Sequence, residues 1–149
     1  MRKGFSLITA IIFLFVVATL SILALSMSTQ SAKQTTDQYL KIEAELLAKS
    51  ATEYALLAIS GHEVNATNGC LNHIDIKYPT SGTNYTHDVN ITIQYIGDNL
   101  PASPKCTQLG TDIVTADSNR TVIIDTIVTT NPTVSLEPIR IHRRTIQKP

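Results

Sequence analysis

Residues 5–32 read FSLITAIIFLFVVATLSILALSMSTQSA, with no ionisable side chain among them. The apolar core of this run, Phe5 to Met27, is 23 residues long. A helix needs about 20 residues to cross the hydrocarbon of a bilayer, so the length fits. The polar members are Ser6, Thr9, Thr19, Ser21 and Ser26. Each is small, and a helical hydroxyl can donate to a carbonyl one turn earlier, so none forbids insertion. Arg2 and Lys3 are the only charges ahead of the run. A basic pair before a long apolar segment reads as cytoplasmic, with the rest of the chain exported.

Three readings of this front end compete. A cleaved secretory signal has a shorter apolar region, about 7–15 residues, although Ala24-Leu25-Ser26 offers a small-x-small site. An uncleaved signal anchor is the second. The third turns on Gly4-Phe5 and on the stretch beyond the apolar run. That stretch, KQTTDQYLKIEAELLAKSATEYALLAIS, keeps a helical period. Leu40, Ala44, Leu47, Ala51, Tyr54 and Ala58 recur at alternating spacings of four and three, which predicts one buried stripe. Glu45–Lys49 and Lys49–Glu53 are spaced to support the helix. No Pro or Gly interrupts Phe5 to Ser60, and Gly61 is the natural stop. A continuous helix over that span would be roughly 84 Å long. A plain anchor needs no such extension; the alternative is an anchor and a separate domain helix with a loosened joint near Ser28–Thr36.

The first residues, Arg2, Lys3, Gly4, Phe5, Ser6, Leu7 and Ile8, together with the apolar run, resemble the start of a type IV pilin or a type II secretion pseudopilin. The resemblance covers residues 2 to about 60 and is generic beyond. It implies a basic leader (1–4) that a prepilin peptidase removes after Gly4, with Phe5 then N-methylated. It implies a transmembrane and filament-core helix (5–32), an amphipathic helix half (33–60) and a β-rich periplasmic or extracellular head (61–149). The implied partners are the peptidase, other pilin or pseudopilin subunits and an inner-membrane assembly platform. One position departs from the pattern. The fifth residue after the cut is usually Glu in that family, where it is thought to pair with the neighbouring subunit's N-terminal amine; here it is Thr9. Thr9 cannot make that charge pair. A tip subunit has no neighbour above it and needs none, so the resemblance points to a minor, tip or initiating subunit. The alternative is an uncleaved, membrane-anchored periplasmic binding or adaptor module.

Length and composition speak against most large enzyme classes. It has 149 residues, Lys+Arg 12 against Asp+Glu 12, 43% hydrophobic and 16% charged residues. Only residues 61–149 remain beyond the helical stretch, too few for a doubly wound cofactor fold. The head holds 14 threonines, and Thr with Val and Ile favours strands. Ile74, Ile76 and Tyr78 alternate with Asp75 and Lys77. Val89, Ile91, Ile93 and Tyr95 alternate with Asn90, Thr92 and Gln94. Pro79 to Asn84 and Gly97 to Lys105 read as loops. Thr121 to Thr129 reads as a central strand containing Asp125. Between Thr133 and Thr145 the alternation slips at Pro138, which predicts a bulge or an edge strand. The expected fold is α+β, a long N-terminal helix packed on an antiparallel sheet of about four strands.

Cys70 and Cys106 are the only cysteines. In an exported head they can form a disulfide, the alternative being two buried free thiols. The closed loop would be worth about 4 kcal/mol by chain entropy. His62, His73, His87 and His142 have no metal-ligand spacing, and no nucleophile motif occurs, so neither a metal, a cofactor nor an enzyme is expected. Asp112, Asp117, Ser118 and Asn119 could offer oxygens to calcium, but a polar turn is the preferred reading. Residues 5–138 hold 6 basic and 12 acidic side chains, whereas Arg140, His142, Arg143, Arg144 and Lys148 crowd the last ten. This basic tail suits a subunit contact, lipid phosphate or DNA, or simply guards an edge strand. Nucleic acid is the less favoured partner, because no aromatic side chains interleave with the arginines.

Overall fold

The computed structural model describes residues 3–65, 67–97, 100–101, 106–110, 120–135 and 137–149, with side chains from residue 7 onward. The chain forms two compact units, Met1–Tyr39 and Leu40–Pro149. Helix α1 (Lys3–Gly61) supplies the whole described part of the first and opens the second. It is long and apolar enough near the N-terminus to cross a membrane. In the first unit every described residue from Leu7 to Thr36 is exposed. Within this unit hydroxyls fold back onto the helix: Thr19 donates to the Val16 carbonyl at 2.9 Å and Ser21 to that of Val17 at 2.8 Å.

The second unit packs residues 40–61 of α1 on a sheet. The strands are β1 (His73–Tyr78), β2 (His87–Gly97), β3 (Gln108–Gly110), β4 (Arg120–Thr130) and β5 (Arg140–Gln147). The order is β1-β2-β4-β5, all neighbours antiparallel, with short β3 running parallel to β2. Ile93 N–H donates to the Asn72 carbonyl and Tyr95 N–H to that of Thr107, so β1 and β3 succeed one another along the same side of β2. β3 has no alternating pattern in the sequence and lies just beyond Gly97 to Lys105, the stretch expected to be loop.

The period-2 reading of β2 agrees with the structure: Val89, Ile91, Ile93 and Tyr95 are buried, and residues between them half-buried. β4 contributes Val122, Ile124 and Val128 to the same core. It lies between β2 and β5, the central position expected for it. Each buried Val or Ile contributes about 1.5–3 kcal/mol. Against them α1 sets mainly small residues, Ala44, Ala48, Ala51 and Ala55, with Leu40 and Ile59 at either end. Thr52 is buried here too. Its hydroxyl donates to the Ala48 carbonyl at 2.8 Å, so in its 3.3 Å contact with Thr126 the latter is the donor.

Local expectations can be set against the structure at four points. The buried stripe keeps Leu40, Ala44 and Ala51 but then runs through Thr52, Ala55 and Ile59, while Tyr54 is 52% exposed. A strict alternation of four and three averages 3.5 residues per turn and drifts off the face of a straight helix, which has 3.6. Gly61 does end α1, yet it is not among the glycines with positive φ. The last turn tightens instead, His62 N–H donating to the Ile59 carbonyl at 3.2 Å. Neither Glu45–Lys49 nor Lys49–Glu53 is among the ion pairs of the described residues. Finally, of the two alternatives at the slip the structure shows the edge strand: β5 starts after Pro138 and closes the sheet order.

Candidate functional site

Two surfaces stand out, one in each unit. The first is the apolar skin of α1. Leu14, Phe15, Ile22 and Leu25 are each about two-thirds exposed or more, and the run from Leu7 to Met27 shares this character. Soluble proteins rarely leave so large a continuous apolar surface uncovered. With backbone groups bonded inside the helix and the hydroxyls of Thr19 and Ser21 turned back onto it, the segment presents little polarity outward. Gly4 and Phe5 fall in the first turn of α1, and their side chains lie outside the described set. Thr9 is exposed on α1. Ala10, Ala18, Ser21 and Ala24 are exposed small residues on the same helix, where another helix could approach closely.

The second surface is the sheet face turned away from α1, and its chemistry comes from register. On β4 the even-numbered side chains enter the core, so Asp125 points the other way. Its register partner on β5 is Arg144, with His142 two residues earlier on the same face. Arg144 grips the carboxylate with both arms, Nε to Oδ1 and Nη2 to Oδ2, each at 2.8 Å. His142 Nε2 is also 2.8 Å from Oδ1. The Arg144 hydrogen bond is the main cause that holds the Asp125 carboxyl below its ordinary pKa, with His142 helping and partial burial opposing. A lone Asp inside a Val/Ile-rich strand was the available signal, since a buried carboxylate requires a cationic partner. A smaller cluster on the same face joins His73 Nε2 to Asp75 Oδ2 at 2.8 Å and Asn90 Nδ2 to Asp75 Oδ1 at 2.9 Å.

The basic tail therefore does not act as one patch. Arg144 is committed to Asp125. Arg140 shares its face of β5 with Arg144, whereas Arg143, opposite Thr126 in register, lies on the helix side. Arg143 and the neighbouring Ile141 and His142 border a cavity of about 260 Å³ whose other wall is Glu45, Ala48 and Lys49 of α1. Lys148 lies just past the end of β5.

His87 carries no sequence signal that marks it as a core residue. It is fully buried and links β2 to the start of the second unit's helix segment. A carbonyl can only accept, so His87 Nε2 donates to that of Leu40 at 3.3 Å. Nδ1 faces the Thr86 hydroxyl at 3.0 Å and the Glu43 carboxylate at 3.7 Å. Cys70 and Cys106 are joined in a disulfide. It ties the segment after α1 to the segment before β3, beside Leu71, whose carbonyl accepts from the Tyr95 hydroxyl at 2.7 Å. Burial pushes the Tyr95 phenol above its ordinary pKa.

Among the described residues no group of three His, Cys, Asp or Glu side chains converges on a metal position. Asp112, Asp117, Ser118 and Asn119, the candidate calcium ligands, lie outside the described residues. Compared with protein-family models, with curated proteins and with solved structures, the chain matches none.

Proposed function

We infer that this chain is a structural subunit of the pilin or pseudopilin kind, acting as a minor, tip or initiating member of a type IV pilus or a type II secretion pseudopilus. One long apolar N-terminal helix on a small antiparallel sheet is consistent with the general pilin-like fold. The observation that carries the reading is the contrast within α1. Residues 7–36 keep an exposed, mostly apolar surface, while residues 40–61 bury their small side chains against a head with its own core and disulfide. A helix built that way can rest in lipid as a single pass and later exchange lipid for like helices, with the small residues allowing close approach. Gly4-Phe5 behind Arg2-Lys3 supplies the processing position, with the peptidase, neighbouring subunits and the inner-membrane platform as partners. Its action is mechanical rather than catalytic, and the head faces the periplasm or the exterior.

The runner-up is an uncleaved anchored adaptor, favoured by Thr9 where the family places a carboxylate. Intact mass and N-terminal sequencing of the protein extracted from its native membrane separate the two. A chain beginning at Phe5 and one methyl group heavier is the expected result, and Gly4→Ile should leave the leader in place. A chain beginning at Met1 overturns the subunit reading and leaves the adaptor.

A further inference from the structure

We propose that the outer edge of β5 is a docking site for an extended acidic segment of a partner protein, added as a further strand. The proposal stands apart from the filament reading, because it concerns only the second unit. Its first support is backbone register. Thr130 N–H donates to the Ile139 carbonyl, which marks that pair as hydrogen-bonded, and the ladder alternates from there. Ile141, Arg143, Thr145 and Gln147 therefore bond to β4, and the N–H and C=O groups of Arg140, His142, Arg144 and Ile146 point away from the sheet. Among the described residues no strand covers them. Pro138 and Pro149 lie outside β5, so the eight-residue edge is unbroken.

The second support is the space beside that edge. The cavity of about 260 Å³ between β5 and α1 is floored by Ala48 and Ile141 and rimmed by Glu45, Lys49 and Arg143. A strand added to β5 would send alternate side chains into it and the others onto the opposite face. On that face Arg140 stands at the open edge, while the neighbouring Arg144 is already paired with Asp125. No ion pair of the described residues uses Arg140, Arg143 or Lys148. Charges on an edge strand ordinarily guard against pairing. Charges of one sign guard only against a like edge: a second β5 would set arginine against arginine, which is unfavourable. An incoming strand that alternates small apolar residues with Asp or Glu meets neither obstacle. It completes the backbone bonds, fills the cavity with its apolar side and sets a carboxylate beside Arg140.

The test uses the full chain in detergent micelles with three probes: a peptide alternating valine and glutamate, one alternating valine and lysine, and a short DNA duplex. Amide exchange by NMR should slow by about tenfold or more at Arg140, His142, Arg144 and Ile146 with the acidic peptide alone. Ile146→Pro removes one outward N–H where an edge strand tolerates proline, and should weaken the acidic peptide by at least about tenfold. Arg140→Glu, which leaves the backbone intact, should weaken the acidic peptide and strengthen the basic one. Saturation with the acidic peptide without slower exchange at those four amides overturns the proposal. So does equal binding of DNA that Ile146→Pro leaves unchanged, which would make the β5 edge a simple charge surface.

Discussion

Residues 7–36 and 40–61 belong to one helix, yet they solve opposite problems. The first part carries large side chains, Leu14, Phe15 and Ile22 among them, on an exposed surface. The second carries its smallest side chains on its most buried face, Ala44, Ala48 and Ala55 being 1% exposed or less. Bulk thus faces outward where lipid or another helix can adapt to it, and small residues face a sheet whose Ile and Val side chains already fill the space. Helix amphipathicity should therefore be read by size as well as by polarity. Within residues 40–61, Ile42, Leu46 and Leu57 are apolar and still exposed.

The largest effect expected on the head alone is loss of the disulfide. Replacing Cys70 and Cys106 with serine should cost about 2–5 kcal/mol in denaturant unfolding monitored by near-ultraviolet circular dichroism. The helical signal of residues 7–36 in detergent should persist through that transition, and a simultaneous loss of both would erase the contrast between the regions. A sharper comparison changes one side chain in each. Ala55→Leu forces a larger side chain between α1 and the sheet and should cost about 1–3 kcal/mol. Phe15→Ala, although a larger change in volume, should leave head unfolding unchanged, because Phe15 is no part of the core.

A third, smaller effect tests the sheet's far face. Asp125→Asn keeps the shape but removes the charge that Arg144 and His142 share, and should cost about 1–2 kcal/mol near neutral pH. The sign of the acid effect comes from the lowered pKa of Asp125. A depressed carboxyl contributes stability above its unfolded value of about 3.9 and loses it as pH falls through the lower folded value. Wild type should therefore lose this contribution below about pH 4, whereas the Asn variant should lack it throughout. Equal acid sensitivity in the two would show that the pair does not support the β4–β5 junction.

Much of the architecture was legible because it rests on local periods. The apolar run announces a helix by length, and β2 announces its buried face by strict alternation. Short β3 was illegible, since three residues hold no period and its pairing with β2 rests on backbone bonds and on the Gln108 side-chain amide, which donates to the Gly97 carbonyl. The buried stripe leaves its expected course past Ala51 because heptad spacing and a straight helix part company within a few turns. The basic tail resembles one patch in the sequence because its members are close along the chain. In a strand successive residues alternate, and register sends Arg144 to Asp125 and Arg143 to the cavity beside α1.

What the sequence determined by itself is therefore whatever depends on residues close along the chain: a helix apolar at its front, alternating strands, two cysteines available to pair, and a leader-like start. Only the tertiary structure decided which charges meet, that His87 is buried against Glu43 and the Leu40 carbonyl, and that the β5 edge lies open beside a cavity. Those features arise between elements far apart in sequence. Their physical cause is strand register and helix rotation, where one residue of shift reverses the face on which every side chain appears.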